Sequence, residues 1–278
     1  MEAMKIILIT GVSSGFGRAM ALTLAARGHR VYGVSRRIPE PEVLSCLTGH
    51  IQADLCKPES AHLAISRVLE AQGRLDVLIN NAGAGIGGAL EEVTPEALED
   101  LFRLNFFAMT RLCREALPAM RSQGAGLILN FSSLGGLVGL PYQGAYSATK
   151  FAVEGYTEAL YSEVRPFGIH VSMVEPGDFA TGFTGSRVMA TGPDSPYRAA
   201  HKGALGRIEA DERGGARPQV LAERVVKIVE ARNPRLRYGA GSLSQRLLVK
   251  SRHLLGDRLF LWILGKYYRC SCSRRSSM

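Results

Sequence analysis

The residues with the most chemical content in this 278-residue chain are Tyr146 and Lys150. Four positions apart, they share one face of a helix. An ammonium beside a phenol favours the phenolate and lowers a pKa that ordinarily lies near 10. A tyrosine so placed gives a proton to a carbonyl oxygen or takes one from an alcohol. Ser133, just past the apolar run Leu127–Phe131, is positioned to donate a hydrogen bond to the same oxygen.

A second group is the glycine turn Thr10-Gly11-Val12-Ser13-Ser14-Gly15-Phe16-Gly17, set between an apolar run and a helical pattern. Gly11 permits the tight turn, Gly15 lets backbone approach a pyrophosphate, and Gly17 lets helix and strand pack closely. The helix start adds unpaired N–H groups and a positive dipole end. The next apolar run ends in Ser35-Arg36-Arg37, where an acidic side chain would be needed to bind the ribose hydroxyls of NAD. A guanidinium there suits a 2′-phosphate instead, and Ser13 and Ser14 add hydroxyl donors. NADP is therefore the expected cofactor.

These residues need a frame. Ile6–Ile9, Val31–Val34, Leu75–Asn80, Leu127–Phe131 and Ile169–Val174 are short, apolar and partly β-branched, as strands buried on both faces are. Ile51–Ala53 and Leu236–Tyr238 are weaker strand candidates. Helical patterns over Arg18–Arg27, Glu59–Gln72, Pro95–Ala119, Ala145–Val164 and Pro218–Arg232 lie between them. The alternation predicts an α/β fold with a doubly wound parallel sheet of the Rossmann type. Every motif above falls after a strand or at a helix start, on the edge where such sheets bind ligands. Residues 1–241 are expected to form this domain. Residues 182–217, rich in Gly, Ala and charge, are expected to form a lid-like substrate insertion, and residues 242–278 a basic amphipathic extension.

Composition narrows the function. Seven of the nine net positive charges fall in residues 242–278, so the main domain is nearly neutral, which argues against nucleic acid as a partner. The five cysteines are odd in number. Cys46, Cys56 and Cys113 are far apart, and Cys270 and Cys272 lack a second Cys/His pair, which points to a reducing compartment, no disulfide framework and no metal. The first apolar run is too short for a signal sequence, and no stretch of about 20 apolar residues is present for a spanning helix. A cytoplasmic protein is expected.

Taken in order with Asn80-Asn81-Ala82-Gly83, Asn105 and Pro176-Gly177, these motifs resemble the short-chain dehydrogenase/reductase family over residues 4 to 240. The resemblance implies hydride transfer between a nicotinamide cofactor and an alcohol or carbonyl, with a homo-oligomer as the working form. It implies catalytic roles for Asn105, Ser133, Tyr146 and Lys150. Its spacing selects Ser133 over Ser132, gives Lys150 the nicotinamide ribose as a second partner, and makes Asn105 the anchor of a water leading from Lys150 to solvent. It extends the cofactor site to Asp54 and Leu55 at the adenine, to Asn81, Ala82 and Gly83, and to Pro176, Gly177, Phe179 and Thr181. Phe16 departs mildly from the isoleucine frequent in the family.

The run Leu134–Pro141 is apolar and carries no Arg, Lys or His. Leu137, Leu140 and Phe183 are expected to face an apolar substrate such as a steroid, a retinoid, or a long-chain or aromatic carbonyl. The extension sets Leu259–Leu264 among bases and aromatics. It suits an anionic membrane surface, but equally the domain itself, the mouth of the pocket or a second subunit. Two other readings stand beside an enzyme: a non-catalytic NADP-binding regulator, against which Tyr146 and Lys150 argue, and a membrane-peripheral scaffold.

Overall fold

The computed structural model describes residues 3–183, 185 and 187–269, the side chain of His253 excepted. Strands β1 (Ile6–Thr10), β2 (Arg30–Ser35), β3 (Gly49–Gln52), β4 (Val77–Asn80), β6 (Gly126–Phe131), β7 (Ile169–Pro176) and β9 (Arg237–Ala240) form one parallel sheet in the order β3-β2-β1-β4-β6-β7-β9. Its order reverses beside β1, which pairs with both β2 and β4. Side chains alternate between two cores. Ile6 and Leu8 join the core under α3 (Glu59–Gln72), α5 (Ala108–Gln123) and α6 (Gly144–Val164). Ile7 and Ile9 join the core under α1 (Gly15–Ala26) and α8 (Pro218–Glu230). Because a strand's side chains alternate in direction, covering both faces requires an unbroken apolar run, and β1 reads Ile-Ile-Leu-Ile for that reason.

The expected helix over Pro95–Ala119 is two helices. Thr94 caps α4 (Pro95–Phe102), its hydroxyl accepting from Ala97 N at 3.2 Å. A π-turn over Arg103–Phe107 then separates α4 from α5 and contains Asn105. A short helix α2 (Pro41–Cys46) also forms.

Residues 182–217 contain more order than their composition suggests. β8 (Val188–Met189) pairs with β5 (Ile86–Gly87), tying the segment to the chain beyond β4. α7 (Arg198–Arg213) buries His201, Ala204, Ile208 and Glu212. That stripe has helical spacing but only one large aliphatic residue, so a hydropathy pattern does not reveal it. The chain then runs into α9 (Leu243–Tyr267), capped by Ser242 and kinked at Gly256, where φ is +70°. Phe260 and Leu264 of α9 are buried against Val138. Among the described residues no helix is long and apolar enough to cross a membrane.

Candidate active site

A cavity of about 670 Å³ opens along the carboxyl edge of the sheet, lined by the segments that follow β1, β2, β3, β4, β6 and β7. This is the crevice a doubly wound sheet leaves at its switch point. At one end lies the glycine turn. Gly11 and Gly15 have φ of +77° and +53°, which side chains rarely adopt. A Cβ on Gly17 would stand 2.1 Å from the Gly11 carbonyl oxygen, so helix and turn meet only because the side chain is absent. Ser14 occupies the N-cap of α1, yet its hydroxyl makes no capping bond. The first-turn N–H groups are thus left for a ligand, which suits a pyrophosphate.

Thr10 braces this turn against the chain after β4. Its hydroxyl accepts from Asn81 N at 3.0 Å and Ala82 N at 2.9 Å, while Asn81 Nδ2 donates to the Thr10 carbonyl at 2.8 Å. Phe16 packs edge-on against Phe179 at 5.1 Å and tilted against Phe131 at 6.2 Å, so its bulk joins the turn to the strand ends. Ser35, Arg36, Arg37, Asp54 and Leu55 line the same end of the cavity. The Ser35 hydroxyl is already engaged, donating to the Arg37 carbonyl at 2.7 Å and bonded to His50 Nε2 at 2.9 Å. Arg36 and Arg37 are exposed, and neither joins an ion pair among the described residues. The donor set therefore fits a phosphorylated ribose.

Ser133, Tyr146 and Lys150 meet further along. Lys150 is buried. Its ammonium donates to the Phe131 carbonyl at 2.8 Å and stands 5.7 Å from the centre of the Tyr146 ring. Loss of solvent pulls its pKa down to about 8, against a smaller upward pull from Glu154. The Tyr146 phenol is pushed up by burial, opposed by hydrogen bonding to Ser133 and by the Arg187 charge. This differs from the lowering expected from the Tyr–Lys pair: burial is the largest cause, and the charges acting on the phenol are those of Arg187 and Glu212. Ser133 accepts from Gly135 N at 3.0 Å and bonds the Pro176 carbonyl at 3.4 Å.

Of the other expected residues, Ala82, Gly83, Pro176, Gly177, Phe179, Thr181, Leu140 and Phe183 line the cavity. Asn105 stands behind the wall. Its amide accepts from Ala84 N at 2.8 Å and donates to the Ala84 carbonyl at 2.9 Å and to Thr149 Oγ1 at 3.0 Å. It clamps the backbone beside Gly83, and the π-turn that aims it explains an asparagine in a helical stretch. Leu137 does not line the cavity; its neighbours Leu134 and Val138 do, while its own carbonyl accepts from Arg252 at 3.1 Å.

Sequence reasoning missed Asp178, Arg187 and Glu212; the extension, for which the mouth of the pocket is one of the places the sequence leaves open, lines the cavity through Phe260, Leu264 and Tyr267 of α9 and Tyr268 just after it. The spacing of Phe260 and Leu264, one helical turn apart, was a usable signal for the last group. Nothing in the sequence pairs Arg187 with Glu212. The expectation of an apolar wall without arginine holds for Leu134–Pro141 but not for the whole cavity.

The comparisons with known proteins agree with this geometry. The family model described as short chain dehydrogenase matches residues 5–191. The chain is 45% identical over 266 residues to the 3-ketodihydrosphingosine reductase of Bacteroides thetaiotaomicron, covering 95% of this chain and 98% of that protein. It is 33% identical over 254 residues to retinol dehydrogenase 8 of Homo sapiens, covering 84% and 81%. The crystal structure of a short-chain dehydrogenase from Streptomyces avermitilis superposes with a TM-score of 0.79 at 36% identity, covering 96% of this chain and 99% of that one. With a glycine cradle and a Tyr–Lys pair facing one crevice, and relatives aligned almost end to end, the chain belongs to the short chain dehydrogenase family of oxidoreductases.

Proposed function

We propose that this protein is an NADP-dependent oxidoreductase that interconverts an alcohol and a ketone or aldehyde on an apolar substrate, with Tyr146 as the acid/base. The observation that carries this reading is the continuity of one cavity, with Arg36 and Arg37, unpaired among the described residues, at one end, Tyr146 and Lys150 in its wall, and Leu134, Val138, Phe260 and Leu264 beyond. A bound dinucleotide would lie along the glycine turn and supply or accept hydride. Tyr146, whose phenol burial pushes further towards the protonated form, donates from Oη to the carbonyl oxygen. Ser133 orients that oxygen. Lys150 holds a positive charge behind the phenol and offers its ammonium to the ribose. A long-chain carbonyl suits the length and apolar character of the far end, as do a steroid, a retinoid or an aromatic carbonyl, and the names of the two curated relatives favour lipid-like substrates. The test is turnover with NADPH and with NADH across a panel of long-chain, steroid and sugar carbonyls. An enzyme that prefers NADPH at least tenfold and an apolar carbonyl supports the proposal; preference for NADH or for sugars overturns it.

A second reading concerns location. α9 turns Phe260 and Leu264 inward while Leu247, Leu254, Leu261 and Trp262 stay exposed, with Lys266 over the Trp262 ring at 4.2 Å. These outward apolar side chains on both sides of the Gly256 kink favour a protein that rests peripherally on an anionic membrane; a cytoplasmic location and a homo-oligomer stay proposals from the sequence and the family resemblance. Removing residues 242–278 would also open the cavity, so outward substitutions are the sharper probe. Leu254→Glu with Trp262→Glu should abolish binding to anionic vesicles. Wild-type protein that ignores such vesicles at low salt refutes the membrane contact. The basic residues Arg274 and Arg275, with Cys270 and Cys272, lie outside the described residues.

A further inference from the structure

The substrate end of the cavity contains a buried cation whose donors are not used up. The Arg187 side chain is 5% exposed and its Nη2 donates to Glu212 at 2.6 Å, Glu212 itself being 11% exposed. Its Nε and Nη1 are buried with no hydrogen-bond partner among the described residues. A buried donor left unmade is costly, and a guanidinium more so than a neutral group. The fold nevertheless makes room for it. A Cβ on Gly85 would stand 2.9 Å from Arg187 Cγ, so only glycine there lets the arginine lie where it does. The guanidinium carbon is 5.3 Å from the Phe183 ring centre, and that ring is 5.8 Å from the Tyr146 ring. The charges of Arg187 and Glu212 both act on the Tyr146 phenol. The free donors are therefore beside the reacting position.

The surrounding charge selects the ligand. Asp178 lines the same wall, and Asp211 and Glu212 act on it as like charges. Arg187 is paired with one carboxylate and faces others, so a carboxylate or phosphate on the substrate would meet repulsion that a neutral group escapes. A hydroxyl meets both needs: it accepts from an arginine N–H and donates to the Glu212 carboxylate. We propose that Arg187 and Glu212 hold a non-anionic, hydroxyl-bearing head of the substrate next to the carbonyl served by Tyr146, with the apolar remainder running towards α9.

This specificity site rests on the oxidoreductase reading, and binding separates the two. The probes are a twelve-carbon methyl ketone and the same ketone with a hydroxyl on the carbon beside the carbonyl. Each is titrated calorimetrically into the full chain and assayed for turnover. Wild type should bind the hydroxyketone at least about tenfold tighter, which a site that hydrogen-bonds a hydroxyl achieves by rejecting the analogue that lacks it. In Arg187→Met that ratio should fall to about one, and Arg187→Lys should retain part of it. Because Arg187→Met strands Glu212, the double variant Arg187→Met/Glu212→Leu removes the whole pair and should also give a ratio near one. Equal binding of the two ketones by wild type, an unchanged ratio in either Met variant, or tighter binding of the matching keto acid would overturn the proposal. A binding preference with no turnover would support the head-group site and count against the oxidoreductase reading.

Discussion

The two ends of the cavity are built by opposite means. At the glycine turn the walls are mostly main chain: φ values reserved for glycine, a hydroxyl in Thr10 that locks two loops together, and helix N–H groups left free. At the other end the walls are side chains from distant segments, with Arg187 and Glu212 from the insertion and Phe260 and Leu264 from α9. A main-chain site binds what every member of such a fold must bind, and few side chains can alter it. A side-chain site is free to change with the substrate. The difference teaches that the glycine turn should resist side chains, by clash at Gly17 and by backbone angle at Gly11 and Gly15, while the substrate end should respond to charge and shape one residue at a time.

The largest effect is expected where the two ends meet. Tyr146→Phe should fold and bind nucleotide but lose turnover by roughly a hundredfold or more, the usual contribution of a positioned acid/base. A variant keeping more than about a tenth of wild-type kcat, a barrier change under about 1.4 kcal/mol, would remove Tyr146 from its role.

Two glycine substitutions then set rigid against permissive. Gly17→Ala drives a methyl into the Gly11 carbonyl and should cost roughly 1–3 kcal/mol in urea unfolding, together with nucleotide affinity. Gly182→Ala meets nothing within 4 Å among the described residues and should lie within about 0.5 kcal/mol of wild type. Equal costs at the two positions would erase the contrast.

At the substrate end, burial foremost, with the neighbouring carboxylates of Asp211 and Glu212, pushes Asp178 up to about 6 from an ordinary 3.8. Between those values the folded chain binds more protons than the unfolded one, so this group's contribution to stability falls as pH rises through the window. Asp178→Asn should therefore be more stable than wild type by roughly 1–3 kcal/mol at pH 8 and should gain little at pH 4. Urea titrations at both pH values check it, and a gain equal at both would exclude titration as the cause.

The smallest effect is the one side-chain choice at the cofactor end. Arg36→Ala should lower NADPH affinity about tenfold, near 1.4 kcal/mol, while barely changing NADH. Added salt should weaken NADPH binding more than NADH binding. An unchanged preference would move selection of the phosphate to Arg37 or to the serines of the turn.

The same division governs what was legible in the residues. Strands covered on both faces advertise themselves as apolar runs, and the glycine turn has few other uses after such a run, so the sheet and the cofactor end could be read directly. Tyr146 and Lys150 were legible because helical spacing is fixed. The substrate end was not. α7 hides its inner stripe behind alanine, histidine and glutamate, and Arg187 meets Glu212 only because β8 pairs with β5. The sense of the Tyr146 shift was also hidden, since it depends on how deeply the folded chain buries the phenol.

The π-turn at Arg103–Phe107 carries a consequence for the length of the chain. One residue more than an α-helix requires is lodged there, and it sets the angle at which Asn105 meets Ala84. Deleting a single residue within it would let α4 and α5 run on as a regular helix with their faces still in phase, because the turn absorbs the extra residue, and would re-aim the side chains of the turn itself. The resulting helix would satisfy its own backbone at least as well, yet the clamp on Ala84 would point elsewhere. Local regularity and the shape of the crevice are in competition at this one position, and the chain has kept the irregular form.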